Sequence, residues 1–124
     1  QIRIALADAD LEGARAAVDE LESIASQFGS RAFEAAAAQA RGSLEVASRE
    51  FEKGCISLRR ALQFWLEVNL PYEAAMARML LANAYRGMED EVSAELELRT
   101  ARSAFEKLGA RAISGRSDAL LGCG

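Results

Sequence analysis

Apolar residues are spaced at helical intervals along nearly the whole chain. Segments 31–47 and 71–87 carry apolar side chains three and four residues apart, as do segments 11–28, 51–68 and 91–108. Such spacing collects the apolar side chains on one face of a helix. The pattern therefore predicts five helices joined by short turns, with residues 1–7 as the tail of an earlier helix.

The residues between these segments are typical of helix ends. Ser48-Arg49-Glu50 and Met88-Glu89-Asp90 form short polar turns. Pro71 suits the first turn of a helix, where its missing N–H costs nothing. Gly29 and Asn69 tolerate the left-handed backbone that closes a helix.

The pattern also recurs with a period of 40 residues. Corresponding positions hold residues of one size or type, which is the signature of stacked helix pairs. The matching sets are Ala14, Gly54 and Ala94; Val18, Leu58 and Leu98; Leu21, Ala61 and Ala101; Phe28, Val68 and Leu108; Gly29, Asn69 and Gly109; and Asp10, Glu50 and Asp90. The acids of the last set lie where an anion would face a helix N-terminus.

These recurrences predict a single all-α helical-repeat domain over residues 1–124. Its parts are a partial repeat (1–29), two repeats (30–69 and 70–109), and the start of a further repeat or a tail (110–124). Glycines at 115, 122 and 124 disfavour a helix over 111–124. A four- or five-helix bundle with an accidental period is the alternative architecture.

One stretch resembles the tetratricopeptide (TPR) signature. Leu81-Ala82-Asn83-Ala84-Tyr85 supplies its Leu-small pair and the Tyr three residues later, and Ala94, Leu98 and Ala101 match its second helix. The preceding unit keeps Gly42, Gly54, Leu58 and Ala61 but has Arg41 and Glu45 at the Leu and Tyr positions. The period of 40 exceeds the 34 residues usual in the family.

The longer period is similar to the TPR-like superhelix of large LuxR-type and adenylate-cyclase-like bacterial regulators. Residues 58–62, 70–75 and 104–110 look like that group. The resemblance implies a right-handed superhelix of antiparallel helix pairs in a cytoplasmic protein that senses a partner or an inducer. The NTPase of such regulators is not within this chain, which contains no GxxxxGK[ST] sequence.

The resemblance also implies where a partner binds, because the first helix of each TPR pair lines the concave side. The matching positions carry Ala36, Gln39, Ser43 and Val46, then Met76, Met79, Asn83 and Arg86. We take Gln39, Ser43, Met76, Met79, Asn83 and Arg86 as the candidate groove. Methionine adapts to varied apolar partners, whereas Asn and Arg can bind a peptide backbone or carboxylate. The alternative is that the methionines belong to the core.

Composition narrows the remaining function classes. The net charge of −4, with acids and bases interleaved, is unlike a surface that binds nucleic acid. No segment has the length and apolar character of a membrane span. The first residues lack the pattern of a signal peptide.

The sequence offers few candidate catalytic residues. Without any His the chain lacks the usual general base and transition-metal ligand, so we expect no enzyme, no cofactor and no metal.

The run Asp8-Ala9-Asp10-Leu11-Glu12-Gly13 begins like a calcium loop, but Asp19 stands where the closing Glu belongs. This favours a turn in which Asp10 caps a helix. Cys55 is expected to be a partly buried, inert thiol and Cys123 an exposed one. The large aromatic side chains are expected to pack in the core, namely Phe51, Phe64, Trp65, Tyr85 and Phe105.

Three functions stay open from the sequence. The first is binding of a protein or peptide segment in the groove, which includes other domains of the same parent protein. The second is sensing of a small-molecule inducer. The third is a structural role as a spacer or oligomerisation array, for example as a homodimer.

Overall fold

The computed structural model describes residues 2–123, and the side chains of residues 11–109, as an all-helical chain. Five helices follow one another: α1 (Ile2–Phe28), α2 (Arg31–Ala47), α3 (Phe51–Glu67), α4 (Pro71–Gly87) and α5 (Glu91–Cys123). The described residues contain no strand, as the apolar spacing predicted. None of these helices has the length and apolar character needed to cross a membrane.

A two-residue connection joins α1 to α2, and three-residue connections join the later helices. Each of the four connections contains a left-handed residue. Gly29, Arg49, Asn69 and Glu89 have φ values of 64°, 66°, 58° and 60°. Such a residue lets the backbone turn away from the helix while the last carbonyls still find N–H donors. In the Asn69 connection, the N–H of Leu70 reaches back to the carbonyl of Trp65 at 3.0 Å.

Packing runs between neighbours in sequence. Each helix contacts the next one along the chain, and α2 also contacts α4. Within the described residues, no Cα atom of α1, α3 or α5 lies within 8 Å of a Cα atom of another of these three helices. The helices therefore form two layers, with α2 and α4 in one layer and α1, α3 and α5 in the other.

Small and branched apolar residues fill the space between the layers. One cluster joins Leu58 of α3 to Leu81 and Tyr85 of α4, and a second joins Trp65 of α3 to small residues of α2 and α4. No charged or polar residue is buried among those that the structure describes. Of the expected core aromatics, Trp65 and Tyr85 are buried, whereas Phe51, Phe64 and Phe105 are half-buried.

Two expected helix ends are absent. A turn before residue 11 was expected, with residues 1–7 in a separate helix and Asp10 as a cap, but α1 runs without a break from Ile2 to Phe28. Likewise Gly109 was expected to end a helix, but it lies inside α5, which continues to Cys123. The side chains of Asp8, Asp10 and Cys123 lie outside the described residues.

Candidate functional site

The candidate groove residues lie on α2 and α4, the two helices that contact each other within one layer. On α4, three of the predicted residues are exposed to solvent, and the other three are half-buried on α2 and α4. The exposed ones are Met79, Asn83 and Arg86, and the half-buried ones are Gln39, Ser43 and Met76. The methionines are thus outside the buried core, and Met79 keeps 41% of its surface exposed.

Two of these polar side chains already have partners within the chain. The indole N–H of Trp65 donates to Oε1 of Gln39 at 2.8 Å, which occupies the amide oxygen and leaves the amide N–H groups to donate. The Arg86 guanidinium pairs with Glu91 of α5, with Nη2 and Oε1 separated by 3.2 Å. Among residues 11–109, Asn83 has no hydrogen-bond partner for its side chain. Ser43 likewise has no side-chain hydrogen bond within these residues but is half-buried, so Asn83 is the exposed polar side chain of the six that is without a partner there.

Met79 also borders a hollow between α4 and α5. This hollow, the α4/α5 hollow, has a volume of about 390 Å³ and is mainly apolar. It is lined by Met79, Leu98, Ala101, Arg102, Phe105 and Glu106. The ring of Phe105 lies edge-on to Tyr72, with centroids 5.5 Å apart, which holds one wall in place.

A second hollow lies among α1, α2 and α3. It has a volume of about 350 Å³, with Ala25, Ala37 and Phe64 among its apolar lining residues. Its polar lining consists of two arginines, two carboxylates and two hydroxyls, namely Arg41, Arg60, Glu22, Glu34, Ser26 and Ser57. Glu22 and Glu34 are paired with Arg41 and Arg31. Sequence reasoning placed Phe64 in the core and did not single out Arg60, although their four-residue spacing on α3 puts both on one helix face.

Cation–π contacts fix the ring at this second hollow. The guanidinium carbon of Arg31 lies 4.7 Å from the centroid of Phe64, and that of Arg60 lies 5.5 Å away. In the part of the chain that the structure describes, Arg60 has no carboxylate partner, unlike Arg31, which pairs with Glu34 at 2.7 Å. Among the described lining residues, Arg60 is therefore the cation without a carboxylate partner.

Arg41 ties α2 to α1 at the edge of the same hollow. Its Nη2 and Nε donate to the two carboxylate oxygens of Glu22 at 2.7 and 3.1 Å, and Nη2 also donates to Asp19. These hydrogen bonds, the ones to Glu22 first and then the one to Asp19, raise the pKa of Arg41 above its ordinary value. Because Arg41 is already paired with two carboxylates of α1, we assign this side chain to holding α1 against α2.

Tyr85 and Cys55 form a buried pair of ionisable groups near Arg59. The Arg59 guanidinium donates to the Tyr85 hydroxyl, with Nε 2.9 Å from it. Burial raises the pKa of Tyr85, although the bond from Arg59 opposes this shift. Cys55 is a free thiol and is buried, more fully than the partial burial expected from the sequence. Among the described residues, no cluster of three or more acidic or cysteine side chains is arranged to hold a metal ion.

Comparison of the chain with protein-family models, with curated proteins and with solved structures finds no match to any of them. The TPR resemblance therefore depends on residues of this sequence alone, chiefly the stretch from Leu81 to Tyr85. It stays a prediction.

Proposed function

We propose that the chain is a non-catalytic helical-repeat module, similar to a TPR superhelix, that binds a protein or peptide segment on the α2/α4 face. The observation that carries this proposal is the unequal spacing of the two layers. Because α2 contacts α4 while α1, α3 and α5 stay apart, the α2/α4 layer is the more closely spaced one. In stacked helix pairs the closely spaced layer lies on the inside of the curve, and the inside of the curve is the usual binding surface.

The exposed side chains of α4 suit an extended or helical peptide. Met79 offers a flexible apolar contact, and Asn83 offers both a donor and an acceptor for a peptide backbone. Arg86 can exchange the exposed carboxylate of Glu91 for a carboxylate of the partner at small cost, since exposed ion pairs contribute little to stability. Together these groups support a partner with a short apolar side chain next to an acidic group.

Within this proposal the parent protein is a cytoplasmic bacterial regulator of the LuxR or adenylate-cyclase-like type. The support for the parent is the sequence resemblance alone. The partner is then a segment of another protein or of another domain of the same regulator.

A displayed library of random peptides, selected on the purified chain, tests the proposal. We expect the enriched peptides to lose at least about tenfold in affinity, roughly 1.4 kcal/mol, when Asn83→Ala and Arg86→Ala are combined. The melting temperature should stay close to that of the parent chain, since both side chains are exposed. Glu91→Ala is the matched control, because it breaks the same ion pair but leaves both groove side chains, and should retain the affinity. Peptides whose affinity the double variant leaves unchanged, or a selection that enriches none, would refute the groove.

A second candidate function is binding of a small anionic aromatic or apolar molecule in the α1/α2/α3 hollow. The observation that favours this function is the position of Arg60 beside the Phe64 ring. Within the described residues, Arg60 has no carboxylate partner. The volume of about 350 Å³ lies at the small end of the range for ligand sites. A thermal-shift screen should then yield ligands whose effect is lost in Arg60→Gln but kept in Arg59→Gln, while ligands insensitive to Arg60→Gln would exclude this hollow.

A further inference from the structure

The α4/α5 hollow occupies the position that α4 itself covers in the preceding unit. Forty residues earlier, Leu58, Ala61 and Trp65 stand where Leu98, Ala101 and Phe105 line the hollow. Leu58 and Trp65 are buried, at 0% and 7% exposure, whereas Leu98 and Phe105 are only half-buried. The difference between the two units is therefore a missing covering helix.

The side chains that cover the earlier unit come from one face of α4. Ala74 and Ala77 pack in the cluster around Ala61 and Trp65, and Leu81 packs beside Leu58. All three residues of α4 are buried, with exposures of 3%, 0% and 1%. A helix that covers the α4/α5 hollow in the same way needs two small residues three apart and a Leu four residues further on.

The C-terminal part of this chain carries that pattern in the same register. Ser114, Ser117 and Leu121 are forty residues after Ala74, Ala77 and Leu81. Gly115 and Gly122 likewise follow Ala75 and Ala82, so small residues recur at four of the five positions and Leu at the fifth. Small side chains let a helix approach its neighbours closely, as α4 approaches α2 and α3.

The turns of the chain supply an independent argument. Left-handed residues occur at 29, 49, 69 and 89, twenty residues apart, and the next position in this series is Gly109. Gly109 lies inside α5, where a Gly is less favourable to the helix than an Ala. The same residue is the most favourable one for a left-handed helix end. No side chain would obstruct a turn there, since nothing lies within 4 Å of a Cβ built on Gly109.

We propose that α5 opens at Gly109 and that residues 111–123 fold back as a separate helix that fills the α4/α5 hollow. In this closed form Gly109 takes the left-handed conformation of Asn69 and Leu121 contacts Leu98. The occupant is the segment of the same chain, because a three-residue connection holds it beside the hollow at a high effective concentration. A second copy of the chain must supply the same helix without that advantage.

A distance measurement between spin labels on Val92→Cys and Ala119→Cys tests the closed form. Val92 is 74% exposed, and Ala119 is in the register of the exposed Met79, so labels at both sites avoid the interface. Cys123→Ser removes the second native cysteine, and the buried Cys55 stays unlabelled. In a continuous α5 the two positions lie about 40 Å apart, since 27 residues separate them. In the closed form two antiparallel helices bring them to about 15 Å.

We expect a population at the short distance that is lost in Gly109→Ala and in Leu121→Asp. Gly13→Ala and Leu96→Asp are the matched controls, because they make the same changes at exposed helical positions outside the hollow, and they should keep the short distance. A distribution that contains only the long distance overturns the proposal. A short distance that vanishes on dilution with unlabelled chain also overturns it, because the occupant is then a second copy. The readout is a distance within the chain, so its failure is separate from any failure of peptide binding.

Discussion

Gly42 and Gly54 determine how closely α2 and α3 approach each other. A Cβ on Gly54 would lie 2.7 Å from Cγ2 of Val46 and 3.2 Å from the carbonyl oxygen of Gly42. The equivalent positions of the next unit hold Ala82 and Ala94, both fully buried. The two glycines thus permit a closer contact than the two alanines do, and the recurrence of small residues at this position in the sequence predicted such a contact.

Gly54→Ala is therefore expected to destabilise the chain, although Ala is the better helix former. The added methyl group meets backbone as well as Val46, so α2 and α3 must separate, and overpacking of this kind costs about 1–3 kcal/mol. The free energy of unfolding in urea measures the effect. Gly13→Ala provides the control at a helical position with nothing within 4 Å, and it should gain up to about 1 kcal/mol. A stabilised Gly54→Ala variant would show that the helices adjust without cost.

The side-chain partners of the candidate groove residues could not be predicted from the sequence, although the helix face of these residues could. The register of Gln39 and Arg86 predicted which helix face they share, and the structure places them on the two helices that touch. Their partners could not be predicted, because Trp65 is 26 residues from Gln39 and its approach depends on how α2 and α3 pack. The pair of Arg86 and Glu91 bridges a turn, where side-chain reach depends on the conformation of Glu89 and its neighbours.

At the scale of single helices, the N-termini differ in how they are capped. Oδ1 of Asp90 accepts a hydrogen bond from the N–H of Ser93 at 3.1 Å, and Oγ of Ser30 accepts one from the N–H of Phe33 at 3.4 Å. Glu50 makes no such bond at the start of α3, although it aligns with Asp90 in the sequence. Its longer side chain instead contacts Lys53 at 3.3 Å. The aligned acids are thus equivalent in position but not in function.

The Asp90 cap predicts a pH-dependent contribution to stability. Its bonds to Ser93 lower the pKa of Asp90, so the contribution is complete above the unfolded-state pKa of about 3.9 and is lost as the pH falls through the lower folded-state value. The difference in unfolding free energy between the parent chain and Asp90→Ala should therefore be constant near neutral pH and shrink below about pH 4. Ser30→Ala removes a cap that does not titrate, so its cost should not vary with pH. An Asp90→Ala difference that also persists at low pH would contradict the assigned role of the carboxylate.

The sequence predicts the helices well where strong breakers flank them. The expected bounds of α2 and α4 coincide with the structure at both ends, because Gly29, Pro71 and the polar turns limit the choices. The predicted helix ends at residues 8–10 and at Gly109 are wrong, because the surrounding residues are good helix formers. One Gly, or a pair of acids, costs a helix about 1 kcal/mol or less, which neighbouring alanines offset. Tertiary contacts must then decide whether the helix ends.

At the scale of the whole molecule, contacts link only near neighbours. The first helix, α1, contacts α2 and no other helix in the described residues, so its stability depends on one interface. That interface includes the buried Val18 and Ala25 and the ion pairs of Arg41 with Asp19 and Glu22. By contrast, α4 contacts α2, α3 and α5 and, among the side chains that the structure describes, holds the most buried residues. Stability should therefore be graded along the chain, with α1 opening most easily among the first four helices.

Arg41→Ala is expected to loosen α1 without affecting the far end of the stack. The side chains of this network remain partly exposed, so the loss should be modest, about 1 kcal/mol, and smaller at high salt. In an array in which each unit contacts only its neighbours, such a loss stays local. Hydrogen exchange followed by mass spectrometry should show faster exchange across residues 11–28 and little change across α4. Arg78→Ala is the matched control, because it breaks the ion pair with Glu97 between α4 and α5 and should accelerate exchange there instead. Equal acceleration in every helix with either variant would mean that the chain unfolds as a single cooperative unit.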